Sequence, residues 1–237
     1  MPHAGDFAVG SCQATLFTPE ADVSPTRFVT RFLGEWGDRF DAEPTIIPFP
    51  EGIPKEVPKI ILESRNQQWR CEVASARMNL FWRRPRPEVE GIALPEFYQT
   101  ALPMLIAYRN FVPSPVRRLA AVVNRYVPHD EPARYLAQHF CRERWLEAPF
   151  NRPENFELHS HKQFHLADGI TANSWVRSKT GKLSDTNQPI VVVEQDLNTL
   201  AEDVERDFVE ADLRRFFDGV SIEFDTILNL YFPPDTD

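Results

Sequence analysis

The sequence predicts an α+β fold: two similar strand-helix-strands-helix halves forming antiparallel sheet covered by helices. Three observations carry that expectation. Short apolar or alternating runs come in groups of three, at 59–63, 69–73 and 77–83, then at 156–166, 170–177 and 190–196. Between and after these groups stand stretches with apolar residues at helical spacing, an order that favours antiparallel sheet with helices packed on it. The third is the central stretch 116–127, V-R-R-L-A-A-V-V-N-R-Y-V, bracketed by Pro115 and Pro128. Leu119, Ala121 and Val123 alternate with Ala120 and Val122, so both of its faces are apolar, as in the most buried row of a sheet. It opens what reads as a second copy of the same order, which divides the chain into halves 1–113 and 114–237 within one unit.

Taken in order, residues 12–18 make a first strand with Cys12, Ala14, Leu16 and Thr18 on one face. Ser24-Pro25 reads as a helix start, with proline where a missing N–H costs nothing. Phe28, Phe32, Leu33 and Trp36 give that helix its apolar stripe. A short strand at 45–49 leads into P-F-P-E-G-I-P-K-E-V-P, whose prolines exclude a helix. The meander K-I-I-L-E, Q-W-R-C-E-V and R-M-N-L-F-W-R follows, then a helix at 94–111 that Pro103 is expected to kink or divide. After the central strand a helix begins near Pro132, carrying Tyr135, Leu136, Phe140 and Trp145. Ala167-Asp168-Gly169 is a hairpin turn, and 178–189 a polar loop. Thr199-Leu-Ala-Glu202 is a capping-box pattern expected to open a helix to about Phe217. Asp218-Gly219 should break it, before a last helix carrying Ile222, Phe224, Ile227, Leu228 and Leu230.

Composition narrows the function classes. The 237 residues are 42% hydrophobic, with 18 Phe and 5 Trp, which excludes disorder for the whole. A net charge of -9 repels a phosphate backbone and disfavours a general nucleic-acid binder. Cys12, Cys71 and Cys141 are widely spaced and form no C-x-x-C, as expected of reduced thiols. No apolar run reaches the roughly 20 residues of a membrane span, and M-P-H-A-G-D lacks a signal-peptide pattern. A soluble, cytoplasmic protein is expected.

Three stretches, M-N-L-F-W-R-R-P followed by L-P-E-F, R-L-A-A-V-V-N-R-Y-V, and V-V-V-E-Q-D-L-N-T, resemble a sporadically distributed group of bacterial proteins of about this length. Its members show a strand ending in tryptophan, a tyrosine- or proline-led helix start and a central arginine-bearing strand. The resemblance implies a shape and a bacterial origin, and no particular reaction.

Candidate site residues are few. In His159-Ser-His161-Lys-Gln-Phe-His165, His159 and His161 share a strand face and are spaced to chelate a metal. His165 shares the face but lies about 13 Å along the strand. Without a supporting carboxylate or cysteine motif, a wet histidine-bearing sheet surface is the expectation, with no metal and no cofactor. Arg125 shares a face with Leu119, Ala121 and Val123, so it needs a partner. Asp196, at the end of the apolar run 190–196, is the expected one, as a structural ion pair or as the floor of an anion pocket. Arg83, Arg84 and Arg86 form a local basic patch. Arg177, Lys179 and Lys182 add charge to a second loop that could lie beside it.

The chain has no G-x-G-x-x-G, P-loop, G-x-S-x-G or kinase set. The expectation is a non-catalytic interaction protein that binds another protein, with antitoxin, immunity-like and defence-associated components as the types considered. The alternatives are a small-ligand binder or enzyme with a pocket between the halves, and a nucleic-acid module acting through Arg83, Arg84 and Arg86.

Overall fold

Among the described residues, nine strands form one antiparallel sheet with four helices. The computed structural model describes residues 2–19, 21, 23–48, 54–142, 153–166, 169–203 and 205–234. In chain order the elements are β1 (Ala8–Phe17), α1 (Pro25–Trp36), β2 (Thr45–Ile46), β3 (Ile60–Glu63), β4 (Trp69–Val73), β5 (Arg77–Arg83) and α2 (Leu94–Phe111). The second half runs β6 (Arg118–Pro128), α3 (Pro132–Phe140), β7 (Glu157–His165), β8 (Thr171–Lys182), β9 (Pro189–Thr199) and α4 (Glu210–Tyr231).

The strand order is β2-β3-β4-β5-β1-β6-β9-β8-β7. Outward from β1 lie β5, β4 and β3; outward from β6 lie β9, β8 and β7. The halves therefore share one sheet, joined where β1 pairs with β6, Ala14 opposite Ala121, and the first half carries β2 as an additional edge strand. The central stretch is thus interior to the sheet, as its two apolar faces require.

All four helices pack on one face. Cys12, Ala14 and Leu16, with Met78, Leu80 and Trp82 on one side and Leu119, Ala121 and Val123 on the other, meet Phe97, Leu105 and Tyr108 of α2 and Phe216, Phe217 and Phe224 of α4. Phe28 and Phe32 of α1 join that core, Phe28 lying edge-on to Tyr108 and Phe111. A second cluster joins Tyr135 and Leu136 of α3, Val176, Val191 and Val193 of the sheet, and Leu228 of α4. The opposite face carries no helix among the described residues.

Several local expectations are corrected. Pro103 neither ends nor divides α2, which runs unbroken through 18 residues. The proline is exposed while nine other residues of the helix are buried, so packing outweighs one missing N–H. Thr199 does not open a helix: it ends β9, with its hydroxyl accepting from the Leu119 N–H at 3.0 Å. The helix starts at Glu210, where the Asp212 carboxylate accepts from the Val209 N–H at 3.0 Å, and continues through Gly219 to Tyr231. Burial of Phe216, Phe217, Val220 and Phe224 on the sheet holds that glycine helical. β8 extends to Lys182, so Lys179 and Lys182 lie on a strand rather than in a loop. Gly169 closes the β7–β8 turn at φ 77°, which suits glycine. Trp145, Ala167 and Asp168 lie outside the described residues.

Candidate interaction face

The helix-free face is built by the second set of alternating strand residues, and the ladder registers order them into rows. Arg83, Ser11, Asn124, Glu194, Arg177 and His159 stand side by side in one row. Phe81, Gln13, Val122, Asp196, Trp175 and His161 form the next. Asn79, Thr15, Ala120, Asn198, Asn173 and Gln163 form a third. Arg77, Phe17 and Arg118 begin a fourth.

The middle of this face is a side-chain hydrogen-bond network. The Thr15 hydroxyl donates to Asn79 Oδ1 at 2.9 Å, and Gln13 Nε2 donates to the Thr15 oxygen at 2.9 Å. Arg118 Nη2 donates to Asn198 Oδ1 at 2.7 Å, and Asn198 Nδ2 donates to Asp196 Oδ1 at 2.9 Å. Thr15, Asn79 and Asn198 are buried although they face away from the helices. Side-chain hydrogen bonds of this kind are direction-specific. Burial holds the Asp196 carboxyl above its ordinary range, against the opposing pull of the Asn198 hydrogen bond and Arg118.

Towards β7 the face becomes exposed and aromatic. Trp175 is 47% exposed and stacks on His161, ring centroids 4.0 Å apart at 17°. Arg177 lies between carboxylates, Nε 3.4 Å from Glu157 and Nη1 3.5 Å from Glu194. His159 Nε2 is 2.8 Å from Glu157 Oε1 and 3.0 Å from Arg177 Nε. One ring nitrogen cannot donate to Glu157 and accept from Arg177 at once, so the proton on that nitrogen selects the partner. The hydrogen bond from His159 pulls the Glu157 carboxyl down. Between Trp175, Arg177, Glu194 and Asp196 lies a cavity of about 230 Å³.

The structure redistributes the sequence-predicted residues. His159, His161 and His165 share the helix-free face, and among the described residues no group of three potential ligands that could hold a metal occurs. Arg125 does not pair with Asp196. It points to the helix side, where its Nη2 meets Asp225 Oδ1 of α4 at 2.5 Å, whereas Asp196 is in register with Val122 on the opposite face. Strand parity decides this: 125 and 122 differ by an odd number and lie on different faces. Arg83 and Arg177 fall in one row, but four strand spacings, about 19 Å, separate them, with Glu194 between. The two basic segments therefore do not merge. Arg83 lies over the Phe81 ring at 5.6 Å, Arg84 Nε donates to the Val89 carbonyl at 2.6 Å, and Arg86 is exposed.

Sequence reading did not single out Trp175, Arg118, Asn79 or Asn198. The alternation T-A-N-S-W-V-R at 171–177 already placed Trp175 and Arg177 on one face; which face stays free of helices requires the fold.

A scan against protein-family models finds no match for the chain, and a search of the curated proteins finds no significant match.

Proposed function

We propose that this chain is a non-catalytic interaction protein and that its helix-free sheet face holds a partner protein. The single observation carrying the reading is the character of that face. In its paired rows Arg70, Arg77, Arg83, Arg118, Arg177 and Lys179 interleave with Glu63, Glu72, Glu157, Glu194 and Asp196. A near-balanced face on a chain of net charge -9 suits a folded protein surface of mixed charge. A nucleic-acid backbone would meet Glu157, Glu194 and Asp196, which disfavours it. Exposed Trp175, half-buried Phe81 and preset amide networks supply anchor and register.

Native mass spectrometry of protein purified gently from its own host tests this. A stoichiometric partner kept by wild type and by Ile222→Ser, but lost by Trp175→Ala with Arg177→Ala, is the expected result. Ile222 is 68% exposed on α4, which packs on the opposite, helix-bearing face of the sheet. Retention of the partner by the Trp175 and Arg177 double variant, or its loss by Ile222→Ser alone, overturns the assignment of the face.

A further inference from the structure

One corner of the sheet carries a feature of different chemistry. β9 ends at Thr199, so no β9 residue pairs with Arg118 at the start of β6. Beside that gap, at the junction of the two halves, lies a cavity of about 450 Å³. Phe17, Pro19 and Ala76 of the first half and Ser114, Arg117 and Arg118 of the second line it, with Glu56 at its wall. Its size is that of a small-molecule site.

The polar groups there include the cationic donors Arg117 and Arg118, of which Arg118 also acts on the Asp196 carboxyl. Arg118 lies over the Phe17 ring, 5.0 Å from its centroid, and Arg77 is in register with Phe17 on the next strand. Arg118 donates to the neutral Asn198, and Arg117 Nη1 donates to the Arg206 carbonyl at 3.1 Å. Among the described residues, none of Arg77, Arg117 and Arg118 pairs with a carboxylate. The Nε atoms of Arg77 and Arg118 and the Ser114 hydroxyl are buried and have no hydrogen-bond partner among the described residues. Two guanidiniums, Arg117 and Arg118, line the cavity against the single carboxylate of Glu56, and Arg77 stands in register beside Phe17, so positive charge exceeds negative and suits an anion. Planar, multiply donating guanidiniums fit an oxyanion better than a point charge does. The Phe17 ring and the walls of Pro19 and Ala76 add room for an apolar body.

We propose that this corner binds a phosphate monoester carried on a small apolar body. The site shares Arg118 with the proposed interaction face, whereas Arg117 stands outside the paired rows of that face, so a change at Arg117 tests the site alone. The phosphate can belong to a free metabolite or to a phosphorylated side chain, and both present the same group to the arginines.

Calorimetric titration with phenyl phosphate at low salt and near neutral pH tests it, with inorganic phosphate and benzoate as comparisons. Saturable one-to-one binding is expected, weaker by about tenfold for either comparison ligand, which lacks the ring or the second charge. Arg117→Gln should weaken phenyl phosphate by about tenfold or more, while Glu56→Gln strengthens it several-fold. Both variants keep the strands intact, so unchanged melting temperatures accompany these shifts. A phosphotyrosine peptide binding more tightly than phenyl phosphate assigns the group to a modified partner; equal or weaker binding assigns it to a free ligand. No saturable binding by wild type, or an affinity that Arg117→Gln leaves unchanged, overturns the proposal.

Discussion

At the scale of single residues, the buried polar groups decide most. Arg125 is 4% exposed and its partner Asp225 is 63% exposed, so the two ends of this ion pair are not equivalent. Asp225→Ala strands a guanidinium in the core and should cost about 3 kcal/mol in urea unfolding, whereas Arg125→Met, which removes the charge and keeps the packing, should cost far less. Tyr98 offers the opposite sign. Among the described residues its buried hydroxyl has no hydrogen-bond partner, and burial pushes its pKa well above the ordinary value. Tyr98→Phe should stabilise the protein by about 1 kcal/mol, read as a higher urea midpoint at unchanged slope. Asp196 gives a pH-dependent case. Its folded-state pKa is raised, chiefly by burial, so the folded chain holds that proton more tightly than the unfolded chain. The contribution of this group to stability therefore falls as pH rises from its ordinary value of 3.8 through the raised one. Asp196→Asn removes the fall, and the stability of the variant relative to wild type should grow as pH rises above 3.8. A constant difference above that pH would show that the carboxylate is not desolvated.

At the scale of elements, packing outweighs local signals where the two compete. Gly219 and Pro103 are breakers by propensity, yet both sit inside continuous helices because the flanking residues bury large side chains. A Cβ at Gly219 would meet Leu166 at 3.9 Å, an ordinary contact. Gly219→Ala should therefore stabilise α4 by about 0.5–1 kcal/mol, measurable as a raised melting temperature. The capping pattern at Thr199 failed for the converse reason. Its hydroxyl is engaged by the Leu119 N–H, so β9 continues to the residue that would have capped a helix. α4 is fixed to the sheet partly by Gln195, whose Nε2 donates to the Phe224 carbonyl at 2.8 Å. Most strands and three helix starts were legible because period-two and period-3.6 patterns are local. The end of β8 and the start of α4 were not, because they depend on which strand lies alongside.

At the scale of the whole molecule, the halves are joined by strand pairing and by a shared core. β1 and β6 are central and lie back to back in the order, and Phe216, Phe217 and Phe224 of the second half pack with Cys12, Leu16 and Leu80 of the first. Separating the chain at residue 113 would expose both central edges and half of that core. Fragments 1–113 and 114–237 should each lack a cooperative urea transition when expressed alone, and regain one when expressed together. A sharp transition in either isolated fragment would make the halves autonomous. By itself the sequence determined the α+β class, most strands and three helix starts, the polar alternation of the histidine strand and the burial of the central strand. These follow from side-chain periodicity along one segment. The tertiary structure alone decided that Arg125 meets α4 while Asp196 faces away, that one sheet face carries no helix among the described residues, and that Arg77 and Arg118 flank Phe17. Each of these depends on strand order and register, which bring together residues far apart in the chain and leave no periodic trace within it.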